Sequence, residues 1–180
     1  MEVQVIENFL PIKEFKQLQS FMMSQHVPWH YQDRVVGFSS YDTEMFDKDY
    51  DFQFCHCFYL DNQWMDHAKD TRHILNPTLE KLDPASLVRI KANMCARTPE
   101  KILHGFHVDH EELLDRMRIG VYYMNTNDGQ TIFKNGKAVD SIANRMVLFD
   151  GSELHTGTTT TNRKVRCVIN FNYIPMKLTQ

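Results

Sequence analysis

The residues with the clearest capacity for chemistry are His107, Asp109 and His155. In the stretch Gly105-Phe106-His107-Val108-Asp109-His110, an imidazole and a carboxylate stand two positions apart. Residues two apart on a strand project to the same face, so both could reach one metal ion. His155, on a distant segment, would complete a set of two histidines and one carboxylate. Such a set occupies one face of non-haem Fe(II) and leaves the remaining positions open. Arg166 and Tyr123 add a second requirement. Arg166 lies on the polar side of an otherwise apolar strand, where a buried guanidinium needs an anionic partner. No carboxylate on that strand provides one, whereas a bound dicarboxylate would, through a bidentate pair. Tyr123, deep in Val121-Tyr122-Tyr123-Met124, also needs a partner for its hydroxyl, and the same ligand carboxylate could accept it.

The elements that must position these groups can be read from periodicity. Val3 and Val5 suit a short edge strand, and Asn8 is a candidate cap for the helix that follows, with Pro11 near its first turn. Ile12, Phe15, Leu18, Phe21 and Met22 recur at helical steps, which predicts an amphipathic helix over 12–23. Residues 30–53 have no firm period; irregular strands and exposed loop are expected there, with a mobile flap as the alternative. Residues 52–60 form a strand dense in aromatics, and 64–82 read as a helix that Pro77 interrupts. From Asp83-Pro84 onward the pattern is β: 87–95, 104–109, 118–124, 131–133 with 138–142 across an Asn135-Gly136 hairpin turn, 145–149 and 165–174. His155 opens a polar loop containing Thr158 to Thr161, expected to be solvated. Short strands at roughly 8–12-residue intervals predict a sandwich or barrel.

The chain has 180 residues, 42% of them hydrophobic and 24% charged, which fits one ordinary globular domain with a substantial core. About 1–85 would be helical and strand support, and about 86–175 the β core. The formal net charge of -3 gives no global attraction to nucleic acid. No apolar run approaches the ~18 residues that cross a bilayer. Glu2 and Glu7 fall where a signal peptide would be basic and then apolar, so a cytoplasmic location is expected. Cys55, Cys57, Cys95 and Cys167 match neither a disulfide framework nor zinc knuckles and read as buried thiols in a reducing compartment. His104 and His110, of opposite parity to His107, read as supporting or surface residues.

On these residues, 87–174 resembles the double-stranded β-helix, a cupin-like jelly roll, of the 2-oxoglutarate- and Fe(II)-dependent oxygenases. It is most similar to their prolyl 4-hydroxylase-like branch, including members encoded by phages. The family motif His-x-Asp followed far downstream by His matches His107-Val108-Asp109 and His155. The basic residue for the distal carboxylate of 2-oxoglutarate matches Arg166, with Arg163 and Lys164 as rivals that strand parity disfavours. Tyr123-Met124-Asn125 matches the branch's tyrosine before a Leu-Asn pair, with Met in place of Leu. Gly129-Gln130-Thr131-Ile132-Phe133 matches its Gly-x-Thr-x-Phe element. The usual paired glycine is reduced to Gly129 after Asp128, and position 97 is Arg where the branch often has tyrosine.

The resemblance implies a mainly β fold with N-terminal helices and an enzyme that hydroxylates a C–H bond. Fe(II) would be held by His107, Asp109 and His155. 2-Oxoglutarate would be the cosubstrate, bound by Arg166 and Tyr123 with Asn93 and Thr131 as further candidates. O2 would be the oxidant, ascorbate a stimulant, and succinate and CO2 the co-products. Arg116 and Arg118 are candidates for the substrate entrance. A prolyl side chain in a protein or peptide is the leading acceptor, and a free amino acid or other small metabolite is the alternative. Nucleic acid is disfavoured because the chain has no basic stripe or base-stacking platform. Outside the enzyme class, a non-catalytic cupin-like metal sensor or a β-sandwich interaction module would also fit the pattern.

Overall fold

The computed structural model describes residues 2–35 and 49–176. The strands are β1 (Gln4–Ile6), β2 (His30–Gln32), β3 (Gln53–Leu60), β4 (Gln63–Trp64), β5 (Pro84–Ala96), β6 (Arg118–Tyr123), β7 (Gln130–Phe133), β8 (Ala138–Asp140), β9 (Met146–Asp150), β10 (His155–Gly157) and β11 (Val165–Pro175). Helices α1 (Ile12–Met22) and α2 (Asn76–Leu82) stand on the N-terminal side. The large sheet has the order β1-β9-β6-β11-β5-β3-β2, with β4 on β3, and the small sheet the order β10-β7-β8. These two antiparallel sheets form a mainly β jelly roll, a double-stranded β-helix. No helix among the described residues is long and apolar enough to cross a membrane.

Two apolar clusters hold the sheets in place. On the outer face of the large sheet, Phe15, Leu18 and Met22 of α1 pack with Tyr122, Ile169 and Phe171. That is the three-and-four spacing of α1 meeting the two-residue period of β6 and β11. Between the sheets, Val121, Tyr123, Val147, Phe149 and Val168 meet Phe133 and Val139. This inner cluster takes no fully buried residue from β5, β3 or β2. Their inward positions carry Arg89, Lys91, Asn93, Gln53 and Gln32, which line a cleft. The alternation expected of β5 and β11 therefore separates an apolar outer face from a polar inner one.

Four expectations are corrected. Asn8 does not cap α1; its φ is 49° and Pro11 holds the cap position. The N-terminal segment is fixed instead by Asn144, whose amide donates to the Leu10 carbonyl (2.9 Å) and accepts from the Leu10 N–H (3.0 Å) and Tyr122 hydroxyl (2.6 Å). Residues 64–82 are not one helix: two short 3-10 turns precede α2, which starts with Pro77 in its first turn, where the missing N–H costs nothing. Residues 104–109 are extended without being a continuous strand, since only Leu103 and His107 bridge to Thr158 and His155. The threonine loop is buried rather than solvated. Thr158, Thr159 and Thr160 are almost fully covered, and Asp128 accepts from the Thr160 hydroxyl (2.7 Å) and Thr161 N–H (2.9 Å). Most of the possible flap, residues 36–48, lies outside the described residues.

Candidate metal and cosubstrate site

His107 and His155 face each other because their backbones pair. His107 N–H donates to the His155 carbonyl at 3.0 Å, and the reverse bond is 3.1 Å. This fixes the segment 103–107 against β10 and brings the rings to 4.7 Å between centroids. Asp109, two residues on, turns into the same space. One ligand atom from each of His107, Asp109 and His155 lies within 4.8 Å of the other two.

The donor chemistry suits a divalent cation. His107 Nδ1 lies 3.1 Å from the Gly105 carbonyl and His155 Nδ1 3.0 Å from the Glu153 carbonyl. A carbonyl accepts only, so each Nδ1 carries a proton and each Nε2 is the ring nitrogen left to face a metal. His155 is packed edge-on against Phe149 at 4.7 Å and is almost wholly buried. Burial first, then the neighbouring His107, lowers its pKa to about 4, so its imidazole is neutral at ordinary pH. Burial alone would raise Asp109. The Arg89 guanidinium foremost, with the neighbouring histidines and the Asn172 hydrogen bond, outweighs it and holds the carboxyl well below the usual range. Arg89 reaches Asp109 Oδ1 at 3.0 Å, and Asn172 Nδ2 reaches Oδ2 at 2.7 Å. Two imidazoles, that of His155 neutral, and an ionised carboxylate form a donor set that fits Fe(II).

These shifts have a consequence for stability without metal. Between about pH 4 and 6.5 the unfolded chain protonates His155 and the folded one does not, so acidification through this window favours unfolding. Asp109, with its lowered pKa, acts in the same direction at still lower pH. Metal-free protein is expected to lose up to about 3 kcal/mol between pH 7 and pH 4. Urea unfolding across that range checks this, and His155→Phe should flatten the profile. An equal slope in His155→Phe would refute the assignment.

Arg166 is 6% exposed, and none of the ion pairs among the described residues includes it. Its Nε donates to Ser141 Oγ at 2.9 Å, and one terminal nitrogen reaches Thr131 Oγ1 at 3.1 Å. The Tyr123 hydroxyl donates to the same Thr131 oxygen at 2.7 Å. Asn125 braces the strand on both sides of the arginine, donating to the Val165 carbonyl (2.8 Å) and accepting from Cys167 N–H (3.0 Å). The space around the guanidinium needs two glycines. A Cβ on Gly129 would stand 2.5 Å from Arg166 Cδ, and one on Gly157 3.2 Å from its Nη1. Arg166, Thr131, His107, Asp109 and His155 all line one cleft of about 320 Å³.

The other expected residues fall as follows. Asn93 lines the cleft, but its amide oxygen accepts from Cys55 Sγ (3.3 Å) and does not touch Arg166 or Tyr123. Arg163 and Lys164 are exposed at the end of the threonine loop. His104 is buried, with Nδ1 3.4 Å from Asp51 Oδ1, while His110 is exposed. Arg118 does not border this cleft. It is out of phase with Val121 and Tyr123 on β6 and pairs with Asp150 at 3.1 Å, which corrects its expected place at the entrance. Arg116 borders a second hollow, which also reaches Arg89, Asp109 and Asn172. Arg89 and Asn172 were missed as site residues. The signal lay in parity, since Arg89 shares the face of Asn93 and Asn172 that of Arg166.

No protein-family model and no curated protein matches the sequence. Solved structures do match in shape. An oxidoreductase of the 2OG-Fe(II) oxygenase family from Burkholderia pseudomallei superposes with a TM-score of 0.64 at 10% identity, over 96% of this chain and 85% of that one. The chain has the 2OG-Fe(II) oxygenase fold. The same jelly roll recurs in a Trichoplax adhaerens prolyl hydroxylase in complex with a hypoxia inducible factor peptide (TM-score 0.57, 13% identity, 96% of this chain and 83% of that one). It recurs too in the epimerase SnoN with Fe3+, alpha ketoglutarate and nogalamycin RO (0.67, 9%, 96% and 78%). One fold thus serves acceptors as different as a peptide and a small molecule, so the fold leaves the acceptor to be argued from the site.

Proposed function

We propose that this protein is an Fe(II)- and 2-oxoglutarate-dependent oxygenase that hydroxylates a C–H bond, with a prolyl residue as acceptor. One juxtaposition carries the reading: two imidazoles and a carboxylate converge at one part of a cleft that also contains a buried arginine with no anionic partner among the described residues. A dicarboxylate keto acid answers both demands at once.

In this reading His107, Asp109 and His155 would hold the metal. Bound there with 2-oxoglutarate, Fe(II) supplies the O2-dependent oxidation that turns the cosubstrate into succinate and CO2 and a C–H bond into C–OH. The chain's own groups do the placing. Arg166 forms a charge-assisted pair with the distal carboxylate, with the Tyr123 hydroxyl and Thr131 beside it. Ser141 fixes the guanidinium from behind. Asn172 and Arg89 keep Asp109 ionised and oriented, and the Gly105 and Glu153 carbonyls keep both imidazole lone pairs toward the metal. Phe149 and Phe133, packed behind His155, keep water from that side of the ring. The prolyl acceptor is supported by Tyr123-Met124-Asn125, the element that resembles the prolyl 4-hydroxylase-like branch.

The test is anaerobic titration with Fe(II) and 2-oxoglutarate, followed by succinate measurement after O2 is admitted. The expected result is a weak visible charge-transfer band and slow succinate release in the wild type, with neither in His107→Ala. Absence of the band in the wild type refutes the proposal.

A further inference from the structure

Resting on that reading, we infer that the acceptor is recognised through a free carboxylate, taken by Lys91 with Arg89 beside it. The charges lining the cleft are unbalanced. Among the described residues that line it, Arg89, Lys91 and Arg166 face one carboxylate, Asp109, together with His104, His107 and His155. The distal carboxylate of the cosubstrate takes up Arg166, and a divalent ion adds positive charge beside Asp109. Among the described residues Lys91 of β5 is then left with no negative partner on the cleft wall, and Arg89 has only the carboxylate of Asp109, which it would share with the metal. The nearby Asp51 does not supply one, since it engages His104 and accepts from Val35 N–H at 3.3 Å.

The detailed bonding locates the gap. Lys91 Nζ donates to Gln32 Oε1 at 3.1 Å and makes no ion pair among the described residues. That oxygen also accepts from Gln53 Nε2 (3.2 Å) and Cys55 Sγ (2.9 Å), so Gln32 positions the ammonium without neutralising it. Arg89 Nε is buried with no hydrogen-bond partner, although the far side of its guanidinium holds Asp109. Across the ladder Asn170 pairs with Lys91 and Asn172 with Arg89. The side-chain oxygens of both asparagines are likewise buried and unpartnered. Buried polar atoms seldom stay unsatisfied, and leaving them so costs stability. Donors on β5 facing acceptors on β11 match a molecule that has a carboxylate on one side and an N–H on the other.

The place is also right for an acceptor. In that reading the cosubstrate would be held by the metal ligands at one end and Arg166 at the other. Lys91 lies to the side, on the part of the large sheet where the inner apolar cluster stops and β5, β3 and β2 present polar side chains. Arg89, two residues before Lys91 on the same face, touches the metal-ligating carboxylate, so a molecule held there lies beside the metal. The chemistry is that of an amino or imino acid with its α-carboxylate free, either unattached or at the C-terminus of a peptide.

The test uses protein holding Fe(II) and 2-oxoglutarate without O2, and reads perturbation of the charge-transfer band as acceptors are added. The probes are L-proline against L-prolinamide, glycyl-L-proline against its amide, a peptide with an internal proline and both ends blocked, and the other free L-amino acids. At least one acid is expected to bind about tenfold or more tightly than its amide, as loss of a charge-assisted hydrogen bond requires. Lys91→Met should erase that difference while the band itself persists, and Lys91→Arg should restore it. The free and dipeptide pairs tell the two sources apart. Amides binding as tightly as acids, preferential binding of the blocked peptide, silence of every probe, or an unchanged preference in Lys91→Met would each overturn the inference. A wild type with no band removes the oxygenase reading itself, which is a different failure.

Discussion

Replacing Asp109 with alanine should lower Fe(II) affinity by more than about a hundredfold and reduce succinate formation to background, because it removes the only anionic ligand of the three. The same substitution has a cost that does not depend on metal. Arg89 loses its carboxylate partner, and Asn172 loses the acceptor for its amide hydrogen. Breaking a buried pair by removing one side costs about 3–5 kcal/mol. The Arg89 side chain is 26% exposed, so water recovers part of that and about 2 kcal/mol is expected. Adding Arg89→Met should return most of the lost stability and none of the metal binding. Isothermal titration with a divalent metal and urea unfolding of the metal-free single and double variants measure the two effects separately. If Asp109→Ala bound metal as the wild type does, the ligand assignment would fail. If it lost metal but kept full metal-free stability, only the role given to Arg89 would fail.

The geometry of the candidate site was more legible in the sequence than the support around it, for a physical reason. The strands carry their information in a two-residue period, and β11 alternates cleanly between Cys167, Ile169, Phe171 and Tyr173 on the helix side and Arg166, Val168 and Asn170 on the cleft side, with Asn172 continuing that face into the second hollow. That alternation was enough to place Arg166 inward and to separate it from Arg163; Lys164 shares the parity of Arg166 and lies outside because β11 begins only at Val165. The juxtaposition of His107 with His155 was not visible in this way. It depends on a single bridge between an irregular segment and a short strand, where continuous strand 104–109 was expected. Periodicity also failed where tertiary partners decide. Asn8 has a capping residue type but sits at positive φ, and the threonines of 158–160 are polar in type but buried through Asp128 and their own backbone. Arg89 escaped notice because a charged residue on a strand ordinarily faces solvent; only the closure of the sheets turns it toward Asp109.

Arg166→Met should raise the concentration of 2-oxoglutarate needed for half-maximal charge-transfer absorbance by about a hundredfold, while metal binding persists. Two charge-assisted bonds to a carboxylate, each at about 1.5 kcal/mol, give that magnitude. The effect on the ligand-free protein should run the other way. A guanidinium 6% exposed and bonded only to neutral oxygens has given up its hydration without gaining a countercharge. Replacing such a charge with an apolar chain of similar length is commonly neutral or stabilising. The melting temperature of ligand-free Arg166→Met is therefore expected to equal or exceed that of the wild type. With metal present, saturating 2-oxoglutarate should reverse the order, because a ligand at about a hundred times its Kd stabilises by about 2.7 kcal/mol and the variant forgoes most of this. Arg163→Ala and Lys164→Ala, on the exposed loop, should change neither quantity. A melting point for Arg166→Met several degrees below wild type without ligand would mean that the arginine serves the fold. An unchanged 2-oxoglutarate requirement would mean that the cosubstrate carboxylate lies elsewhere in the cleft, with Lys91 the next cation able to receive it.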